Sequence, residues 1–277
     1  MIRIFALDID GTLLDSNSKL SEDNIKALRD LESTGVRVVL ASGRVFKSVL
    51  YFASKISKNP CIIANNGALL GSDYDNLFFE NPLDDQYLDR LYDLALENDL
   101  DFHFYDLDTY YSNKLKIEKL DHLRKENDSE YTTNILISDD PLRELREKNH
   151  KAYKFQINKT NDHPLGSEGI SKLVRDEFSD RIYMTSSFGG VLELMSKGVS
   201  KFDTLLVLAD KLGFSRENIA TIGDGLNDLE MTQGSKLSFA MGNGREELKE
   251  IASHVVSDNN SGAIREACEI IKEYNRV

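Results

Sequence analysis

The sequence predicts an α/β protein: a doubly wound parallel sheet into which a second, α+β section is inserted. Apolar segments of strand length alternate with helical periodicity in both terminal parts of the chain, which is typical of βαβ units. Polar clusters follow several of these strands, where the binding sites of open α/β sheets lie. Between about residues 82 and 187 the pattern changes to mixed strands and helices.

The first predicted strand covers residues 3–7 and leads directly into two aspartates, Asp8 and Asp10. Side chains alternate along a strand, so we expect these carboxylates to point the same way. Neighbouring carboxylates repel each other unless a cation or a shared proton relieves the repulsion. The spacing therefore indicates a metal-assisted acid/base site at this strand end.

The following segments continue the strand–helix alternation. Ser21 is a suitable N-cap for a helix that ends near Gly35, and residues 36–41 form the second predicted strand. A second helical segment with apolar residues on one face leads to a third strand at residues 60–64. Three strands joined by helices in this way predict a parallel sheet with helices on both faces.

The section from about residue 82 to residue 187 predicts a separate α+β domain, because its strands alternate in polarity and are interspersed with short helices. Its strands are expected near residues 102–105, 109–111, 135–137, 153–157 and 181–185, and a basic helix over residues 114–125. We predict that this domain is inserted into a core made of residues 1–81 and 188–277.

The last part of the chain returns to the earlier pattern. A strongly periodic helix follows Lys201 and ends at Gly213. The next strand, residues 219–222, leads into the polar segment 223–228, and a terminal helix starts at about Ala263. These elements complete the predicted core.

Composition argues against several classes of partner. The chain has 277 residues, of which 40% are apolar and 29% charged, as in soluble globular proteins. Its 34 Lys and Arg against 47 Asp and Glu give a net charge of −13, which repels nucleic acid and anionic membranes, so we expect neither partner. No window holds the roughly 18 apolar residues of a membrane span, and the first strand leaves no room for a signal peptide.

The cysteines indicate the compartment. Cys61 and Cys268 lie far apart in apolar contexts. We interpret them as buried thiols in a reducing cytoplasm, with a disulfide as the alternative.

Polar clusters at four strand or helix ends are expected to converge on one edge of the sheet. Their members are Asp8 and Asp10; Ser42 and Gly43; Lys201; and Asp224, Asn227 and Asp228. Carboxylate oxygens with room for water describe a Mg²⁺ site. A hydroxyl, backbone N–H groups and a lysine describe a phosphate cradle. Together they indicate phosphoryl transfer, in which positioning and charge neutralisation provide most of the catalysis.

These clusters resemble, in order, the four motifs of the haloacid dehalogenase-like superfamily of phosphatases. The similar segments are the DxDGT motif at Asp8–Thr12, Ser42-Gly43-Arg44, Lys201, and the GDxxND motif at Gly223–Asp228. Asn65-Asn66-Gly67, Gly198–Lys201 and the long insertion resemble the Cof-type subfamily with a type IIB cap. The resemblance implies a Rossmann-like core and a cap domain that selects the substrate. The sequence departs from the subfamily at Phe202, where Gly is usual, and at Gly244, where Ala is common; Phe202 could narrow the pocket.

The resemblance also implies roles for the clustered residues. Asp8 would attack phosphorus, and Asp10 would protonate the leaving alcohol and then take a proton from water. The resemblance further implies that Mg²⁺ is bound by the Asp8 carboxylate, the Asp10 carbonyl and Asp224, with support from Asp228. The phosphate would be bound by Ser42, Gly43, Asn227 and the catalytic Lys201.

The function expected on these grounds is Mg²⁺-dependent hydrolysis of a small phosphorylated metabolite, such as a sugar phosphate or a phosphorylated cofactor. A phosphomutase of the same superfamily would carry the same core motifs and stays an alternative. A non-catalytic phosphosugar-binding regulator is a second alternative, although Asp8, Asp10, Lys201 and Asp224 are all present. We interpret Arg44 as structural rather than catalytic. The sequence indicates no particular substrate or oligomeric state.

Overall fold

The computed structural model describes residues 1–114, 133–158, 162–185 and 190–276. The predicted basic helix at residues 114–125 lies, apart from its first residue, outside the described residues. The chain divides into two compact units. The first consists of Met1–Arg44, Val49–Phe79 and Ser200–Val277, and the second of Val45–Ser48 and Glu80–Val199.

The secondary structure largely follows the predicted order. The strands are β1 (Ile4–Leu7), β2 (Arg37–Ala41), β3 (Ile62–Ala64), β4 (Leu69–Asp73), β5 (Asn76–Glu80), β6 (Asp101–Tyr105), β7 (Thr109–Ser112), β8 (Asn134–Ile137), β9 (Lys154–Asn158), β10 (Ile182–Thr185), β11 (Val191–Ser196), β12 (Ile219–Gly223), β13 (Leu237–Ala240) and β14 (His254–Val255). The α-helices are α1 (Glu22–Glu32), α2 (Phe46–Ile56), α3 (Asp85–Glu97), α4 (Pro141–Glu147), α5 (Gly166–Phe178), α6 (Lys201–Lys211), α7 (Leu229–Gly234), α8 (Glu246–Lys249) and α9 (Ala263–Arg276).

The first unit is built on an eight-stranded sheet in the order β14-β13-β12-β1-β2-β3-β4-β5. All neighbours from β14 to β3 run parallel, whereas β4 is antiparallel to β3. The chain leaves β1 toward β2 and β3 and returns at β12 on the other side of β1. This reversal makes the end of β1 a topological switch point, where ligands bind in open α/β sheets. The predicted doubly wound core is therefore confirmed.

Local sequence explains the elements around β1. All four of its residues are buried, as expected for a central strand that is covered on both faces. Helix α1 begins after Ser21, whose Oγ accepts a hydrogen bond from Asn24 N at 3.1 Å. The apolar residues of β1 and α6, among them Ile4 and Leu205, belong to one buried cluster. This packing fixes the strand and the helix whose ends carry predicted site residues.

The second unit contains a six-stranded sheet in the order β10-β11-β9-β6-β7-β8. Only the pair β7 and β8 is parallel among its described neighbours. Apolar side chains of alternate strand positions, including Phe102, Phe155 and Leu194, form a core with helices α3 and α5. The unit is thus an α+β layer built on alternating strands.

Strand β11 corrects one predicted boundary. It pairs with β9 and β10 and so belongs to the second sheet, whereas a core that resumes at residue 188 would include it. Its segment is an apolar run of strand length interrupted by Glu193, and such a run does not indicate which sheet a strand joins. The first unit resumes at Ser200. The short elements β14 and α8 were also not predicted, because they are too short to show a period.

Both cysteines are buried and free, as the interpretation as thiols predicts. Among the described residues, no helix combines the length and the hydrophobicity that a membrane span requires.

Gly67 provides a test of how the start of α6 is positioned. Its φ is +110°, and a Cβ at this position would lie 2.2 Å from the carbonyl oxygen of Ser200. Gly213 has a similar backbone, with φ +74°, but nothing within 4 Å of the same site. We expect Gly213→Ala to lower the free energy of unfolding by about 1 kcal/mol through backbone strain, and Gly67→Ala to lower it by at least about 3 kcal/mol. Urea unfolding measures both, and equal losses would contradict the proposed close approach.

Candidate active site

A buried lysine joins two of the predicted carboxylates. Helix α6 begins at Lys201 because Ser200 Oγ caps it, accepting from Asp203 N at 3.0 Å. Lys201 Nζ donates to Asp8 Oδ1 at 2.5 Å and to Asp228 Oδ1 at 2.7 Å. Lys201 is 1% exposed, Asp8 5% and Asp228 0%. The end of β1, the turn after β12 and the first turn of α6 therefore meet at one ammonium group.

The second oxygen of Asp228 holds its own turn. Asp228 Oδ2 accepts from the backbone N–H groups of Asp224 at 3.1 Å and of Gly225 at 3.0 Å. This turn places Asp224 next to the segment after β1, where Thr12 Oγ1 donates to Asp224 Oδ1 at 3.1 Å. Asp228 thus supports the geometry of the site with both oxygens.

The charges of this group are strongly coupled. Burial raises the pKa of Asp8 well above its usual range; Lys201 opposes the shift, and Asp228 adds to it. Burial, and next the charge of Asp228, raise the pKa of Asp224 to about 6. Burial alone would lower the pKa of Lys201, but the charges of Asp228 and Asp8 outweigh it and raise that pKa. Because one ammonium is shared by two carboxylates, negative charge remains in excess.

The acidic side chains fit a divalent cation. Asp8, Asp224 and Asp228 can each offer one carboxylate oxygen, and these atoms lie within 4.8 Å of one another. Hard oxygen donors of this kind are what Mg²⁺ prefers. A cation would also oppose the burial and the mutual repulsion that raise the pKa values of Asp8 and Asp224. Three of the four predicted metal ligands are therefore brought together by their side chains.

Asp10 differs from the other three carboxylates. Its Oδ2 and Oδ1 accept from Arg44 Nε and Nη2, each at 2.8 Å. The premise of the expectation for Asp8 and Asp10, a strand that continues through both residues, is wrong. Strand β1 ends at Leu7, and the segment Ile9–Leu13 forms a turn whose backbone is non-helical at Asp10 and Gly11, so the alternation of a strand does not extend to Asp10.

The predicted phosphate-binding residues are linked to one another through Asn66. Its N–H donates to the carbonyl of Ser42 at 3.0 Å, and its Oδ1 accepts from Asn227 Nδ2 at 3.2 Å. A Cβ on Gly43 would lie 2.9 Å from the same Oδ1 atom. Ser42 Oγ accepts from the N–H of Arg44 at 3.2 Å within the turn that precedes α2. The turn after β3 therefore connects residues from two of the sequence clusters.

Sequence reasoning assigned no site role to Thr12 or Asn66, and it interpreted Gly242-Asn243-Gly244 first as a turn and second as a segment that orients the motif loop. Asn243 Nδ2 donates to the carbonyl of Gly11 at 2.8 Å and so holds the turn that carries Asp10. The turn chemistry of Asn-Asn-Gly was a usable signal for Asn66, whose φ is +55°. No local pattern indicated the partners of Thr12 and Asn243, because both contacts join distant segments.

The two departures from the subfamily have packing explanations. The ring of Phe202 lies against Gly234, where a Cβ would come within 2.0 Å of it, and packs on the buried cluster around β1. At Gly244, a Cβ would lie 2.9 Å from the carbonyl oxygen of Met241 and 3.1 Å from Asp224 Cα. Glycine at this position therefore suits the close approach of the two loops.

Comparisons with known proteins identify the family of this chain. A family model described as haloacid dehalogenase-like hydrolase matches residues 5–267. The Bacillus subtilis protein named 5-amino-6-(5-phospho-D-ribitylamino)uracil phosphatase YcsE is 26% identical over 266 residues, which cover 96% of this chain and 94% of the relative. Phosphatase YwpJ of the same organism is 27% identical over 281 residues, covering 95% and 97%.

Solved structures show the same fold. A haloacid dehalogenase-like hydrolase from Bacteroides thetaiotaomicron matches with a TM-score of 0.82 and 27% identity, over 98% of this chain and 100% of the other. TM0651 from Thermotoga maritima matches with a TM-score of 0.80 and 27% identity, over 97% of each chain. With the family model matching nearly the whole length, the chain belongs to the haloacid dehalogenase-like hydrolases.

Proposed function

We propose that this hydrolase is a Mg²⁺-dependent phosphomonoesterase that acts on a small phosphorylated metabolite. One observation carries the proposal: the buried Lys201 ammonium lies between Asp8 and Asp228, with Asp224 close enough to complete an oxygen-rich group. A nucleophilic carboxylate beside a cation and a metal-binding group suits phosphoryl transfer, which depends on positioning and charge neutralisation.

The proposed reaction has two steps. An Asp8 carboxylate oxygen forms a bond to phosphorus as the bond between phosphorus and the alcohol oxygen breaks, and Asp10 gives its proton to that oxygen. A water oxygen then bonds to phosphorus, the bond to Asp8 breaks, and the proton from water goes to Asp10. Both aspartates return to their starting forms, so one phosphate and one alcohol are released for each water consumed.

The carboxylates of Asp8 and Asp224 and the backbone carbonyl of Asp10 would hold Mg²⁺, with Asp228 supporting Asp224 through its backbone. The bound ion supplies positive charge to the phosphate oxygens. Lys201, the Ser42 hydroxyl, the Gly43 N–H and Asn227 would bind the same phosphate. Lys201 also keeps Asp8 in place, since its ammonium already contacts that carboxylate.

The second unit is proposed to select the organic part of the substrate. One face of its sheet carries hydrogen-bonded polar side chains: Lys154 Nζ and Gln156 Nε2 donate to Glu193 Oε1 at 3.0 and 2.8 Å. His103 Nε2 lies 2.6 Å from Gln156 Oε1. The His103 ring stacks on the Tyr110 ring, with 4.5 Å between the two ring centroids. Donors, acceptors and aromatic rings together suit a hydroxylated molecule. A relative named for a phosphoribitylamino compound supports a phosphate ester of this kind.

The first test removes the nucleophile. With Mg²⁺ and p-nitrophenyl phosphate, we expect Asp8→Asn to lower kcat by on the order of 10³-fold or more, because an amide cannot form the bond to phosphorus. The circular dichroism spectrum and unfolding midpoint check that the variant folds. Full activity of a folded Asp8→Asn protein would refute the proposed mechanism.

The second test removes the metal. We expect EDTA to abolish phosphate release and an excess of Mg²⁺ to restore it, because the acidic group otherwise keeps its excess negative charge. Activity that persists in EDTA would contradict the metal assignment. With a panel of sugar and cofactor phosphates, free phosphate indicates a phosphatase, whereas isomerised phosphate ester without release indicates the phosphomutase alternative.

The third test replaces the buried pair of the second unit by apolar residues. The double variant Lys154→Met, Glu193→Leu avoids leaving one charge unpaired. We expect KM for the hydroxylated ester that is hydrolysed best in the panel to rise about ten-fold, the effect of about one lost hydrogen bond. The kcat for p-nitrophenyl phosphate should stay unchanged. Arg90→Met, which removes an exposed ion pair in the same unit, is the control. Equal effects on both esters would contradict selection by this face.

A further inference from the structure

Arg44 and Asp10 form a two-point ion pair. Both bonds, from Nε to Oδ2 and from Nη2 to Oδ1, measure 2.8 Å. Two parallel bonds fix the plane of a carboxylate as well as its position. A lysine could not do so, because its ammonium is a compact point charge. The orientation of the Asp10 carboxylate therefore depends on a guanidinium group in particular.

Neighbouring residues hold both the backbone and the guanidinium group of Arg44. Its backbone N–H donates to Ser42 Oγ at 3.2 Å, and its carbonyl accepts from Asn65 N at 2.9 Å. Its guanidinium carbon lies 5.2 Å from the centre of the Phe52 ring on α2, a cation–π distance. The fold thus positions both the backbone and the guanidinium group of Arg44.

Arg44 holds the Asp10 carboxylate without burying it. The side chains of Arg44 and Asp10 are 18% and 37% exposed, so this carboxylate stays partly open to solvent while two bonds fix its plane. The buried Lys201 provides the cation for Asp8 and Asp228. Arg44 acts instead on the one carboxylate to which the proposed reaction assigns proton transfer.

Resting on the function proposed above, we infer that Arg44 is a positioning residue that sets the orientation in which Asp10 transfers protons. Proton transfer requires the carboxyl to stay within hydrogen-bond reach of the reacting oxygen, and small misplacements slow the reaction. In the first step Asp10 gives its proton to the leaving oxygen, and in the second it accepts one from water. The need for the first transfer depends on the leaving group, because an acidic phenol can leave without a proton.

The test compares p-nitrophenyl phosphate with phenyl phosphate, two esters of similar shape whose phenols differ in acidity. In Arg44→Met we expect kcat/KM for phenyl phosphate to fall about 10²-fold, the usual contribution of general acid catalysis. For p-nitrophenyl phosphate kcat/KM should change much less, because its acidic phenol leaves without a proton. Its kcat and KM should fall together, because the water step, in which Asp10 accepts a proton, is common to both esters. Arg44→Lys should show the same selectivity change, since it keeps the charge but loses the two-point geometry.

Arg29→Met is the matched control. Arg29 donates to the backbone carbonyls of Ile56 and Lys55 at the other end of α2, at 3.0 and 2.6 Å. Arg29 itself lies on α1, so its loss removes a guanidinium from the same unit that contacts α2 without touching Asp10, and the ratio of the two esters should remain that of the wild type. In an Asp10→Asn background, Arg44→Met should have no further effect on phenyl phosphate, because residues that act as a unit are not additive.

The outcomes separate the two hypotheses. An active wild type whose Arg44→Met variant loses kcat/KM equally for both esters would overturn the positioning role and indicate phosphate binding or general structural damage. An additive effect in the Asp10→Asn background would overturn it as well. A wild type that releases phosphate from neither ester in the presence of Mg²⁺ would instead refute the proposed function itself.

Discussion

The ammonium group of Lys201, buried between two carboxylates, is the interaction on which the site depends. A buried ammonium is stable only with partners, because removal from water disfavours its charge. Asp8 and Asp228 supply them, although Asp8 lies 193 residues away in the sequence. The sheet makes this possible: β1 and β12 are parallel neighbours, so their carboxyl ends reach the same edge. The ion pairs of Lys201 therefore depend on the strand order of the first unit, which brings the ends of β1 and β12 together.

A second constraint is that the four acidic residues of the site accept hydrogen bonds from three different side chains. Lys201 binds Asp8 and Asp228, Thr12 donates to Asp224, and Arg44 holds Asp10. Like charges at close range are tolerated because each carboxylate accepts a hydrogen bond, with Lys201 shared by Asp8 and Asp228. In the proposed reaction this division allows neighbouring aspartates to serve different purposes, one as a nucleophile and one as a proton carrier, since environment rather than residue type sets the behaviour of a carboxyl group.

The candidate site was only partly predictable. The residue types at the ends of β1 and β12 were recognisable, because turn and motif residues follow apolar strands directly in the sequence. The strand geometry assumed for Asp8 and Asp10 was a wrong prediction, since the strand ends before either residue. The pairing of Arg44 with Asp10 was not predicted at all. Such a contact arises only when the segment after β2 is folded against the turn after β1.

The sequence by itself determined the order of strands and helices, the doubly wound core and the residues that stand at its strand ends. These features follow from hydrophobic periodicity and turn chemistry, which act over a few residues. Only the tertiary structure decided that β11 joins the second sheet, that Asn66 connects Ser42 with Asn227, and that Arg44 binds Asp10. The reason is physical: hydrogen-bond partners and sheet membership depend on which distant segments pack together. A sequence pattern that extends over a few residues does not specify these distant contacts.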